Sequence, residues 1–338
     1  MTAVREIDPS GKDALAPLVR ALGRGPGRAR HLTRSEAATA MAAMLDGSAA
    51  REAVGALLML LRYRGENAEE IAGFVDGLRA RLDPGWRAAA SAIDWPTYAA
   101  GRSRGAPWFL LSARLVASAG FPVLLHGWQS AANPVSALEP MLETLAIPVV
   151  TRPDEARAAL STVGVAYAPL AALDPAALDL LRLRDVLGLR SPVNTALRAL
   201  NPAGAETSVQ GVFHPSYRGL QQDAAMALGQ ARLLVLKGGG GEFERHPGKE
   251  VALMGVRAGT AFEIAAPPML DAKARLADAA TADPSALWRG EAADPFAEAA
   301  VIGTAAAALF AAGAAADLDA AAGVAGDLWR GRHSSKAA

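Results

Sequence analysis

Apolar positions in the first third of the chain recur with a helical period. In "TRSEAATAMAAML" Thr33 stands three residues before Glu36, the spacing of a reciprocal capping box, and Met41, Met44 and Leu45 then share one face up to Gly47. A second helix is predicted over 50–64, with Val54, Leu57, Leu58 and Leu61 as its buried stripe and Gly65 as its terminator. Asn67 and Glu70 open a third, carrying Ile71, Phe74, Val75 and Leu78, and "DPG" at 83–85 ends it. Three short helices make a bundle without a complete core, so they need another layer to pack on.

From about residue 90 the pattern changes. Short apolar runs, "FPVLLHG", "IPVV", "VGVAYAPL", "SVQGVF" and "ARLLVLKGGGG", are separated by helical stretches. That alternation predicts a largely parallel sheet covered on both faces. The fold class expected is therefore α/β: a small N-terminal helical domain at 1–88, with 174–200 packing back on it, and a larger α/β domain from 89–173 and 201–338. Ligands of such sheets gather beyond the carboxyl ends of the strands. The loops "HGWQS", "HPSYRG" and "GGGGEFER" are the places to look for chemistry.

Composition narrows this only a little. The chain of 338 residues is 51 % hydrophobic and 20 % charged, with no formal net charge and no cysteine. Disulfides, zinc–thiolate sites and thiol catalysis are excluded, and a reducing cytoplasm is the expected setting. The opening "MTAVREIDPSGKD" is charged from residue five on, so no secretory leader is expected. The alanine-rich stretch at 299–316 is long enough to span a membrane but reads as a buried helix, and no membrane partner is expected. Arg20, Arg24, Arg28, Arg30 and Arg34 follow one another with no acid between, the pattern of a solvated segment.

The most unusual stretch is "LKGGGGEFERHP". Lys237 closes an apolar run, Gly238, Gly239, Gly240 and Gly241 follow, and Glu242 and Glu244 stand just beyond. Glycines let a backbone approach an anion closely, but four in a row fix no single geometry. The run is expected to fold around a variable backbone more readily than to position a metal.

The helical region 35–82, the element "LGLRSPVNTALRALNPAGA" at 187–205, "VQGVFHPSY" and "LLVLKGGGGEFER" follow one another in the order and spacing of the anthranilate phosphoribosyltransferases (glycosyltransferase family 3), which the chain resembles over about residues 30–265. The resemblance implies a homodimer formed through the helical domain, with a site between the domains for phosphoribosyl pyrophosphate (PRPP) and magnesium. It implies that Arg190 occupies the position that contacts the aromatic carboxylate, with Asn194 beside it. His126 and Gly127 keep the family's His-Gly pair.

Elsewhere the pattern departs. Where the family has a glycine-rich pyrophosphate loop, this chain has "IDWPTYAAGRSRGAPWFLL", with Gly101 and Gly105 as the only glycines and Arg102 and Arg104 as new cations. Trp128 replaces an asparagine, and the adjacent acidic pair becomes Glu242 and Glu244 separated by Phe243. These features resemble a divergent, nucleic-acid-binding branch of the family.

The function expected from the sequence is a dimer that has lost the parent reaction and needs no cofactor. It would bind single-stranded DNA or RNA without sequence preference in a basic inter-domain groove. Arg102, Arg104, Arg182, Arg184, Arg190, Arg198 and Lys237 would meet phosphates, with Trp95, Tyr98, Trp108, Trp128 and Tyr217 available to stack bases. His126, Gly127, Asn194 and the four glycines would line the pocket, and His214 reads as a turn residue. The alternative is an active phosphoribosyltransferase using PRPP and Mg²⁺, with anthranilate or another aromatic amine as acceptor. Glu242 and Glu244 would then hold the metal, and Arg102 and Arg104 the pyrophosphate. A metabolite-sensing or purely structural dimer is the third class.

Overall fold

A computed structural model describes residues 13–25, 27–98, 106–128, 138–270 and 283–332. Arg102 and Arg104 lie outside the described residues. The helices Ala16–Gly23, Arg34–Leu45, Arg51–Arg64 and Ala68–Arg79 form the N-terminal bundle, and both capping boxes read from the sequence are present.

The described residues also form a seven-stranded sheet: β1 Ile93–Thr97, β2 Val123–Gly127, β3 Val165–Pro169, β4 Thr207–Val212, β5 Arg232–Lys237, β6 Val251–Arg257 and β7 Thr260–Ala266. Its order is β3-β2-β1-β4-β5-β6-β7. Neighbours from β3 to β5 run parallel, and β6 and β7 add an antiparallel hairpin at the edge. Strand β1 was read in sequence as a departed pyrophosphate loop, and it is instead a central strand. The run "IPVV" makes only the bridge between Val149 and Tyr167.

The two faces of the sheet bury different layers. Leu124, Ala166 and Ala168 share a core with Leu57, Leu58 and Phe74 of the bundle and with Val193 and Leu197 of the helix Pro192–Arg198. On the other face Ile93, Trp95, Leu125, Leu234 and Leu236 pack against the helices Phe109–Ser118, Pro295–Ala312 and Leu318–Gly331. Among the described residues Pro295–Ala312 is the one helix long and apolar enough to cross a membrane, and 83 % of its apolar window is buried in this core.

What positions the site is the seam between β1 and β4. They pair only as Ile93 with Thr207 and Asp94 with Ser208. Beyond that the strands part, and the winding of the sheet reverses at this seam. Diverging strands at a reversal leave a crevice at their carboxyl ends.

Candidate active site

The cavity beyond β4 is built on the helix Pro192–Arg198. Pro192 at its first position suits a helix start. Asn194 and Arg198, four residues apart, fall on one face and bond to each other, Arg198 Nη1 donating to Asn194 Oδ1 at 3.2 Å. Asn194 Nδ2 donates to the carbonyl of Tyr98 at 3.3 Å. Arg198 Nε donates to the Gly211 carbonyl at the end of β4 (2.8 Å), and its Nη2 to the Gly241 carbonyl (3.4 Å). This guanidinium is a buried strut joining helix, strand and glycine loop. Burial pushes it down to about 10, with Glu242 opposing.

Three more arginines reach the same cavity, which has a volume of about 400 Å³. Arg62 comes from the bundle and donates to the Tyr217 hydroxyl. Arg184 stands 3.7 Å from Asp185. Arg190 lies over the ring of Phe213, 5.8 Å from its centroid, and Phe213 meets His214 edge to face. Burial, then the charges of Arg184 and Arg62, lower Arg190, while Glu242 pulls the other way. Behind Arg62, Glu66 accepts from Thr195 Oγ1 at 3.4 Å. Burial raises both the Glu66 carboxyl and the Tyr217 phenol. A cage of guanidiniums around a half-exposed aromatic ring is equipped to hold a small planar anion.

Of the residues singled out in the sequence, Arg184, Arg190, Asn194 and Arg198 line this cavity together. Arg182 is exposed and outside its wall, and Lys237 is exposed at the end of β5. His126 is not a lining residue. It is fully buried in β2, with Nε2 3.0 Å from Asp94 Oδ1 and Nδ1 2.9 Å from the Tyr98 hydroxyl. Gly127 is there for packing, since a Cβ would fall 2.0 Å from the Thr97 carbonyl oxygen. Trp95, Tyr98 and Trp108 are interior and cannot stack a base.

The glycine run differs most from expectation. It makes a tight turn in which Gly240 and Gly241 take φ of 64° and 92°. A Cβ on Gly238 would sit 1.6 Å from the Glu242 carbonyl oxygen, and one on Gly211 2.0 Å from the Glu242 carbonyl carbon. The glycines let this loop press onto the end of β4. They are absent from the cavity wall, and Gly241 lies behind it, bonded to Arg198 and close against Phe213.

Glu242 and Glu244 do not fit magnesium in this arrangement. Their side chains are almost wholly buried, and Glu244 Oε2 accepts the Phe109 backbone N–H at 3.1 Å, at the start of the helix Phe109–Ser118. Magnesium asks for accessible oxygens near octahedral geometry. No group of three acidic or histidine side chains converges among the described residues.

Sequence reading missed Arg62, Glu66, Thr195 and Phe213. Arg62 carried a signal: it lies four residues after Leu58, so it falls beside the buried stripe, where a charge needs a reason.

The class these features define is a two-domain α/β protein: a doubly wound sheet with an arginine-lined cavity beyond the carboxyl end of β4, flanked by a helical bundle. Residues 16–82 match the helical bundle domain of the glycosyl transferase family, and residues 109–331 match its α/β domain. Curated relatives include the anthranilate phosphoribosyltransferase of Methylocella silvestris, 31 % identical over 317 residues, covering 90 % of this chain and 88 % of the relative. That of Novosphingobium aromaticivorans is 31 % identical over 223 residues, covering 65 % and 67 %.

Solved structures with the same fold include the anthranilate phosphoribosyltransferase of Thermus thermophilus, with a TM-score of 0.78, 24 % identity, and coverage of 95 % of this chain and 96 % of that one. The Saccharomyces cerevisiae enzyme in complex with PRPP and Mg gives 0.72 at 14 % identity, with coverage of 94 % of each. The chain belongs to glycosyltransferase family 3, the anthranilate phosphoribosyltransferase family.

Proposed function

We propose that the arginine-lined cavity is the acceptor site of a pentosyl transfer: it holds a small planar anion while the sugar is delivered from the crevice beside β1. The observation carrying this reading is the convergence of Arg62, Arg184, Arg190, Arg198 and Asn194 on one cavity around Phe213. The names of the relatives point the same way, to anthranilate as acceptor and a phosphoribosyl donor. A volume near 400 Å³ suits one ring with its substituents.

The test is calorimetric titration with anthranilate, followed by a transfer assay with PRPP and magnesium. Arg190→Ala is expected to weaken anthranilate binding by roughly tenfold to a hundredfold, the worth of a charge-assisted hydrogen bond. If neither anthranilate nor any other aromatic anion binds, and no sugar is transferred, the reading fails.

A second reading is single-stranded nucleic acid binding without sequence preference. What favours it is the cavity rim, where Phe213 is 50 % exposed beside Arg190, a ring on which a base could stack next to a cation. Titrating a labelled oligonucleotide at several salt concentrations decides it. This reading requires an affinity that falls by several ions' worth with salt and weakens in Phe213→Ala. A shallow slope, or an unchanged affinity in the variant, removes it.

A further inference from the structure

Resting on the acceptor reading, we infer that Gln221 is a specificity-determining residue of this cavity: its side-chain oxygen accepts a hydrogen bond from an amino group on the acceptor ring. Gln221 lies on the helix Tyr217–Ala227, one turn after Tyr217, so the two side chains share a face and line the cavity together. The residue is 1 % exposed. Its Nε2 donates to the carbonyl of Thr195 at 3.0 Å. A carbonyl only accepts, so the amide nitrogen must face Thr195, and that settles the orientation of the amide. Oε1 is left buried, with no hydrogen-bond partner among the described residues.

Its neighbours in the wall are already paired. Thr195 Oγ1 donates to Glu66, the Tyr217 hydroxyl accepts from Arg62, and Asn194 uses both ends of its amide on Tyr98 and Arg198. Of the buried side-chain polar atoms that lining residues carry, Gln221 Oε1 is the one without a partner among the described residues. A buried acceptor without a donor is unfavourable, and a ligand that brings a donor offsets this. The acceptor reading gives the carboxylate end of the ligand to guanidiniums, which can only donate. Gln221 makes the opposite demand, for an N–H. Together the two demands describe an aromatic acid that carries an amine, and they separate it from an aromatic acid of equal size without one. A site whose buried polar group would be left unpaired rejects the ligand that lacks the matching group.

The experiment is calorimetric titration of the full chain, at mildly alkaline pH, with ortho-, meta- and para-aminobenzoate and with the corresponding methylbenzoates. Each pair matches in shape, and only the amine offers a donor. At least one aminobenzoate is expected to bind roughly tenfold or more tightly than its methyl counterpart, the worth of one buried hydrogen bond. Gln221→Met keeps the length of the side chain and removes the acceptor. It should bring that pair to parity, with the methylbenzoate bound no more weakly than by the unmodified chain. A merely structural role for Gln221 would weaken both members of the pair alike and leave their ratio standing.

If the methionine variant does not fold, the ratios in the unmodified chain still decide. Equal affinity within every pair means that water alone meets Oε1, which overturns the inference and leaves the acceptor site standing. A ratio that survives in the methionine variant overturns it too, because the amine is then read elsewhere. Failure of every benzoate to bind overturns the acceptor reading and the inference with it.

Discussion

Buried polar residues set the terms at the smallest scale. Asp94, His126 and Tyr98 are fully enclosed, and they satisfy one another: His126 bridges the Asp94 carboxylate and the Tyr98 hydroxyl, and Ser208 Oγ donates to Asp94 Oδ2 at 2.7 Å. The chain of contacts continues from the Tyr98 carbonyl to Asn194 and Arg198, so the interior network braces the cavity floor. His126→Ala would leave the Asp94 carboxylate buried with a reduced set of partners, at a cost of about 3–5 kcal/mol. Urea denaturation measures it, and a loss below about 1 kcal/mol, the worth of one ordinary hydrogen bond, would mean that the network is idle. Glu66 gives a pH signature. Its folded value lies above the ordinary 4.5, so the folded state holds that proton to higher pH than the unfolded state does, and stability declines as pH rises past 4.5. Glu66→Gln removes the decline. The variant is expected to melt above the parent at neutral pH, with the gap closing below 4.5; a variant that melts lower throughout contradicts the assignment.

Helices and strands owe their formation to local signals of unequal strength. The helix Arg34–Leu45 is fixed by Thr33 and Glu36, with Arg30 adding an ion pair at 2.6 Å. The hydrogen bond from Arg30, then that from the Thr33 backbone, holds Glu36 down to about 2. A lowered carboxyl contributes stability above the unfolded value of 4.5 and loses it as pH falls from 4.5 toward 2. Glu36→Gln should therefore flatten that part of the acid-unfolding curve, followed by circular dichroism; an unchanged curve would show the pair to be idle. Such caps and stripes were legible in the sequence because they need only residues three or four apart. Strands β2 to β5 were legible as apolar runs. Strand β1 was not, because Pro96 and two large side chains made "IDWPTY" look like a disrupted loop. The β6–β7 hairpin was missed although it carries its own turn, Ala258 and Gly259 both at positive φ. "IPVV" misled in the other direction: Pro148 has no N–H for a ladder, and only a bridge forms beside it.

Across the whole molecule the cavity joins residues that sequence spacing cannot bring together. Arg62, Arg190, Asn194 and Phe213 meet because a helix of the bundle comes to lie over the end of β4, and no local pattern encodes that closure. Arg190 and Asn194 were foreseen through resemblance, Arg62 and Phe213 were not, and the glycine run was misjudged because its partner, the end of β4, is distant in sequence. The same outer surface of the helical part bears on assembly. Tyr63 on the helix Arg51–Arg64 is 90 % exposed, and Val186 on the neighbouring helix Arg184–Leu187 is 82 % exposed. A Cβ built on Gly55 would lie 3.9 Å from Leu187 Cδ2, so the two helices pass close to one another. Exposed large apolar side chains on neighbouring helices are a suitable surface for a second copy. A homodimer through this flank predicts a light-scattering mass of twice 34.7 kDa. The paired substitution Tyr63→Asp and Val186→Asp should return it to the single-chain mass, because a carboxylate buried without a partner costs several kcal/mol in each copy. An interface of standard size covers about 800 Å² on each partner, so two charges placed in it twice over are enough to part the chains. A single-chain mass for the unsubstituted protein at micromolar concentration, or a dimer indifferent to both aspartates, would move the contact elsewhere and leave Tyr63 and Val186 as ordinary surface.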